Sequence, residues 1–300
     1  MRNLSRAVLA AALSLTALNT ASAQQANQVE WKQTFNMPKG TNLPPGVRAD
    51  TLGIELGDTY AEAKAKLAQL ASEGVQAAPD KRSMSQRMID RNMGRSERPP
   101  VTESQVVFRL QGPGGNVIAA AYVAEAKLER ELPGSGPQKL TEIVTLYFSA
   151  PSSGHQVIGI ERLVAYPTNA DQPRASDLLG PLKAKYKSEP QVSASDTTTT
   201  YKFQFNDGKP FVSPPRIVAC DARFKISEER EIPSINPNKD CDVVALVRVV
   251  HGISRDHAKS LTFTLADNER AQANIAADFD FFGSYVSDLQ NRTRGAPPKL

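Results

Sequence analysis

The chain has three histidines, His155, His251 and His257, and these are its usual candidates for proton transfer near neutral pH. In Ser152-Ser153-Gly154-His155 a serine stands beside a histidine. That run falls in an expected hairpin turn and lacks the strand-turn-helix elbow of a nucleophilic serine, so it reads as a turn. His251 and His257 flank a second turn that also holds Arg255 and Asp256. These four could form a site with no known motif behind it; the competing reading is histidines satisfied or solvated at a strand end. H-E-x-x-H, G-x-S-x-G and S-x-x-K do not occur, so zinc peptidases, α/β-hydrolases and penicillin-recognising serine enzymes lack their signatures.

The stretch GIELGDTYAEAKAKLAQL, Gly53 to Leu70, has the outline of a phosphate loop entering a helix. Its glycines are one residue too close for that loop, and Asp58 stands where lysine would neutralise phosphate. Thr59-Tyr60-Ala61-Glu62 instead fits a capping box, in which the Thr59 hydroxyl and the Glu62 carboxylate each accept the other's backbone N–H. The stretch is therefore a helix start. Gly112 to Gly115 leads into a strand and lacks the helix N-terminus that would hold an anion.

Cys220 and Cys241 are the only cysteines. In an exported protein this even count argues for a disulfide, whose loop closure would stabilise the fold by roughly 3 kcal/mol. A zinc site could add His251 and His257, but the cysteine spacing is far wider than zinc motifs use. Neither metal nor cofactor is expected. The layout places Cys220 in a strand over 216–224 and Cys241 at the head of a neighbouring antiparallel strand over 242–251. The loop between them carries Glu228, Glu229, Arg230 and Glu231, a charged finger that could contact a partner.

Arg2 and Arg6, the uncharged run Ala7 to Leu18 and Ala21-Ser22-Ala23 make residues 1–23 a signal peptide. The apolar run is shorter than the roughly 20 residues of a spanning helix, and no lipoprotein cysteine follows it. The expected product is periplasmic, begins at Gln24 and has no integral membrane segment. Removing Arg2 and Arg6 lowers the formal net charge from +4 to +2, far from the charge of a nucleic-acid binder. One local concentration stands out, the insertion 79–100, where Arg82, Arg87, Arg91 and Arg95 recur. It reads as a solvated insertion or as a basic patch for an anionic envelope partner.

Residues 24–50 read as an extended arm with Trp31 and Phe35 as its large anchors. Ala63, Leu67, Leu70 and Ala71 stripe a first helix. Four alternating runs follow, over 104–111, 117–124, 140–149 and 157–166, as expected of an antiparallel meander. A second helix over 174–187 contains Gly180-Pro181. Four more strand-like runs cover 197–206, 216–224, 242–251 and 260–266. Asp267 can cap a closing helix with Ile275, Phe279, Phe282 and Val286 on one face. The fold class is thus α+β, in two tandem modules over 51–167 and 168–291, each a helix and a four-stranded antiparallel meander, plus a C-terminal helix. Residues 292–300 form a tail.

Leu56-Gly57-Asp58-Thr59 with Glu62-Ala63 resembles the helix entry of an exported α/β repeat. That repeat occurs in β-lactamase inhibitory proteins and in the small lipoprotein of the outer-membrane assembly machine. The resemblance implies a non-catalytic, protein-binding role and carries over no functional residue. The leading functional reading is a periplasmic module that contacts another exported or envelope protein. A small-ligand or glycan-binding protein and an enzyme with a site near His251 and His257 are the alternatives.

Overall fold

The computed structural model describes residues 27–40, 43–73, 100–111, 117–135, 138–211 and 241–293. The signal segment, Arg82, Arg87, Arg91, Arg95, Cys220, Glu228, Glu229, Arg230, Glu231 and the tail from residue 294 lie outside them. No helix among the described residues is long and apolar enough to cross a membrane.

The chain enters through β1 (Asn27–Gln28) and a short hairpin, β2 (Asp50–Thr51) and β3 (Ile54–Glu55). Helix α1 (Tyr60–Ser72) begins at the capping box as expected, with Thr59 accepting from Glu62 N–H and Glu62 accepting from Thr59 N–H. Then come β4 (Val101–Gln111), β5 (Val117–Leu132), β6 (Leu140–Phe148) and β7 (Val157–Ala165). Each pairs antiparallel with the next. Helix α2 (Ser176–Tyr186) keeps Pro181 within it. It is followed by β8 (Gln191–Ala194), β9 (Thr198–Asn206), β10 (Lys209–Pro210), β11 (Val243–His251), β12 (Ala258–Asp267) and α3 (Asn268–Thr293).

The fold is α+β with a mostly antiparallel sheet. Among the described residues every strand except β2 and β3 joins one ten-stranded sheet, in the order β4-β5-β6-β7-β12-β11-β9-β8, with β1 also beside β5 and β10 beside β9. The two halves of the chain meet where β12 pairs antiparallel with β7, so they share one sheet. They also share a core. Leu67 of α1, Leu128 of β5, Tyr186 of α2 and Phe203 of β9 belong to one buried cluster that covers a single sheet face.

Alternation along the strands divides the sheet cleanly. Val243, Ala245, Val247 and Val249 of β11 face α1 and α2, while Val244 faces α3 on the other side. A bulge at Ala124 of β5, opposite the Ser104–Gln105 step of β4, switches the facing of β5. Tyr122 and Ala124 therefore join the α3 side, and Ala126 and Leu128 join the α1 side.

Two expectations are corrected here. β11 is paired along its length by β9 on one flank and β12 on the other, so it has no free edge for a strand over 216–224. The short β8 takes the outer position beside β9 instead. Cys241 sits just before β11, buried and not a free thiol, while Cys220 lies outside the described residues. The arm also docks differently. Trp31 stacks on Phe281 at 5.5 Å and donates to the Ala121 carbonyl at 3.0 Å. Phe35 stays 36% exposed because its segment is held by backbone, with Thr34 and Phe35 N–H donating to the Ser152 carbonyl.

Candidate functional site

Helix α3 crosses only one end of the sheet's second face. Beneath Ala271 and Ile275 it buries Tyr147, Ala266 and Val244, one row of side chains running across the strands. The rows beyond it have no helix over them among the described residues. One is Glu129, Ile143, Leu163, Thr262, Arg248 and Thr200, placed side by side by the strand registers. The next is Lys127, Thr145, Glu161, Thr264, Leu246 and Lys202. Burial confirms the asymmetry: on β11, Val243, Ala245, Val247 and Val249 are buried, whereas Leu246 and Val250 are half-buried and Arg248 is exposed. This face carries Glu129 and Glu161 at its β5 and β7 end and Lys202 on β9, each already engaged in contacts of its own, and the exposed Arg248 on β11. Threonines and aliphatic side chains lie between.

The inner side of α3 is unexpectedly polar. Asp267, Arg270, Asn274 and Asp278 recur at helical spacing, and all four are buried. Arg270 is 0% exposed. Its Nε donates to Asp267 Oδ2 at 3.0 Å, Nη1 to the Met37 carbonyl at 2.9 Å and to Gln156 Oε1 at 3.1 Å, and Nη2 to the Pro38 carbonyl at 2.7 Å. Gly57, at φ +85°, lies so close that a Cβ there would stand 2.9 Å from the guanidinium carbon. The expected apolar stripe is thus corrected: Ile275 and Phe282 are buried, but Phe279 is 45% exposed. The helix packs over a chain turn and the arm, whose carbonyls need donors.

Asp278 holds that turn. It accepts from Ala150 N–H at 2.9 Å and from the Ser152 hydroxyl at 2.5 Å. Burial pushes its carboxyl up to about 6, against the pull of Ser152 and the Ala150 N–H. Its folded pKa exceeds the unfolded value near 3.9, so its contribution to stability is full below about pH 4 and is lost as pH rises through 6. Ser152, Ser153 and Tyr122 are the side chains that sense it. Asp278→Asn keeps the acceptor and a donor for Ser152 while removing the titration. The stability difference between wild type and this variant is expected to shift by roughly 1–1.5 kcal/mol between pH 5 and pH 7.5, wild type losing ground at the higher pH. Urea unfolding at the two pH values reads it, and a constant difference would refute the assignment.

The turn reading of Ser152 to His155 holds in the backbone: a 3-10 turn over Pro151–Ser153 ends in left-handed Gly154. The serine and the histidine serve different partners. His155, itself at φ +48°, donates from Nε2 to the Val123 carbonyl at 2.8 Å and stacks on Tyr60 at 4.6 Å. Beside it the Tyr60 hydroxyl donates to Glu103 at 2.7 Å, and Lys64 pairs with the same carboxylate at 2.7 Å. Burial lowers the His155 pKa and, with Glu103, raises that of Tyr60. The Glu103 hydrogen bond raises Lys64, and the Lys64 bond lowers Glu103. Each group is thereby held in the protonation state it already has at neutral pH, the opposite of what acid–base catalysis uses.

At the second turn, His251 Nε2 meets the Thr199 hydroxyl at 3.1 Å and His257 Nδ1 meets Ser254 at 2.7 Å. Arg255 pairs with Asp196, and Asp256 accepts from Ser176 N–H at the head of α2. The four residues share a turn but address four different partners. Among the described residues no three His, Cys, Asp or Glu side chains converge on a point that could hold a metal ion.

The chain matches no family model, no curated protein and no solved structure. Its surfaces must therefore speak for themselves. Sequence reasoning found the turns and the helix cap but missed the open face and the polar side of α3. The signal for the face was present in the strands of the second half, where threonines and lysine alternate with the core residues. The signal for the network was the spacing of Asp267, Arg270, Asn274 and Asp278.

Proposed function

We propose that the protein is a non-catalytic, exported interaction module that contacts another periplasmic or envelope protein through the open face of its sheet. The observation that carries this reading is the contrast between the two sides of the same strands. One side is sealed by α1 and α2; the other leaves Ile143, Leu163 and Val250 half-buried among hydroxyl-bearing neighbours, with Leu246 packed beside the α3 cluster. Partly exposed aliphatics with a polar, charge-divided surround are what a protein-binding patch offers. The partner suited to this face offers an acidic group where it meets the exposed Arg248.

Two further features support the reading. Helix and strands alternate in the same chain order in both halves, which fits two tandem copies fused through β7 and β12. The helix entry at Leu56 to Glu62 points the same way through its resemblance to exported protein-binding repeats. Export itself rests on the N-terminal signal: intact mass from the native host should correspond to a chain beginning at Gln24, and a mature protein retaining Met1 would refute it. For the face, Leu163→Arg should abolish co-purification of the partner while leaving the melting temperature close to wild type, since that side chain faces away from the core. Undiminished capture would contradict the proposal.

A further inference from the structure

The arm and the β2–β3 hairpin enclose a cavity of about 280 Å³ against the start of β11. Leu43, Val47, Leu56 and Val243 supply apolar walls, and Arg48, Glu55 and Asp267 bring charge to it. The hairpin is closed by Leu52 and Gly53, both at positive φ, a turn whose twist matches paired strands. Its register sets Asp50 against Glu55, and the Leu56 N–H donates to the Ala49 carbonyl. Arg48 and Glu55 each directly precede one partner of that bond, and both line the cavity.

The three charged groups are not equivalent. Asp267 is 3% exposed, and both of its oxygens are occupied by Arg270, one by the backbone N–H and one by Nε. Its charge is balanced within the fold. Arg48 is exposed and Glu55 half-buried, and neither side chain has an ion pair or hydrogen bond among the described residues. The cavity thus offers one unspent cation and one unspent anion beside an aliphatic wall. A simple carboxylate would be drawn to Arg48 and repelled by Glu55; a simple amine would meet the reverse. A molecule bearing both charges satisfies both residues. The volume stands just under the roughly 300–1,000 Å³ range of ligand pockets, which limits the guest to a single small unit rather than a peptide or a sugar chain.

We infer that this cavity binds a free α-amino acid with an aliphatic side chain. Its carboxylate pairs with Arg48, its ammonium with Glu55, and its side chain rests on Leu43, Val47, Leu56 and Val243. The site lies on the arm, away from the open sheet face, and stands or falls independently of the partner proposed there.

Calorimetric titration of the mature chain with L-leucine, 4-methylpentanoate and 3-methylbutylamine tests it, since the last two each lack one of leucine's charges. L-Leucine should bind, and either analogue should bind at least about tenfold more weakly. Arg48→Met and Glu55→Gln should each weaken L-leucine by about tenfold or more, with melting temperatures within a degree or so of wild type. Three results would overturn the inference: no leucine binding up to roughly 10 mM, an analogue binding as tightly as leucine, or undiminished binding by Arg48→Met.

Discussion

Replacement of Arg270 by methionine is expected to destabilise the protein by roughly 3–5 kcal/mol, a large part of the 5–15 kcal/mol that typically holds a domain together. Methionine fills much of the same space, so the loss is chiefly polar. Asp267 would remain buried without its counter-charge, and burial already raises its pKa even with Arg270 beside it. The carbonyls of Met37 and Pro38 and the amide of Gln156 would each lose a donor. Because those carbonyls belong to the arm, the variant should also be cleaved by protease near residues 33–40 well before the sheet unfolds. Urea unfolding with limited proteolysis measures both effects. A wild-type midpoint together with a wild-type cleavage pattern would show that the arm is held by something else.

Glu142 is the second such position. It is 0% exposed near the start of β6 and stands between two guanidinium groups. Arg130 Nε donates to its Oε2 at 2.5 Å, and Arg162 Nε donates to its Oε1 at 2.7 Å. Arg130 also reaches the Leu70 carbonyl at 2.6 Å, tying the last turn of α1 to β5 and drawing on the negative end of that helix. Glu142→Gln leaves two cations facing a neutral amide, one of them almost fully buried. The expected cost is about 3–5 kcal/mol, the usual result of breaking a buried ion pair from one side. Replacing Glu142 and Arg130 together by leucine and methionine should recover much of this loss, because the desolvation of both charges disappears with them. A single variant as stable as wild type, or a double variant worse than the single, would contradict this reading of the triad.

How far the sequence could be read depended on whether the deciding forces were local. The capping box at Thr59 and Glu62 is set by residues three apart, and it formed as expected. β6, β7, β9, β11 and β12 fell within a few residues of their alternating runs, because Val, Ile, Leu and Phe mark most of the core-facing positions of these strands. What failed was the pairing between distant segments. Nothing in the run Val243 to His251 says that β9 and β12 flank it, and a hairpin with the nearer segment over 216–224 looked the cheaper closure. β8 escaped notice because Gln191 to Ala194 is short and wholly exposed. Helix α3 misled for another reason. Its apolar stripe was real, but the surface it meets includes a turn and an extended arm with backbone carbonyls to satisfy, so Arg270, Asn274 and Asp278 turn inward and Phe279 outward. The interaction face was hard to see for a related reason: which side of a strand is left uncovered depends on where the helices pack, and strand sequence alone does not determine that.

Site-specific photo-crosslinking in the native host probes contact through this sheet face. A photoreactive residue would be placed singly at Thr262 or Arg248, side by side on β12 and β11, and at Gln69, on the exposed side of α1, as the control. One discrete protein adduct of the same mass is expected from both sheet positions and none from Gln69, with the adduct lost when Leu163→Arg is introduced into the same chain. Adducts that form equally from Gln69, or sheet positions that stay unreactive while the protein is folded and exported, would contradict an interaction through this face.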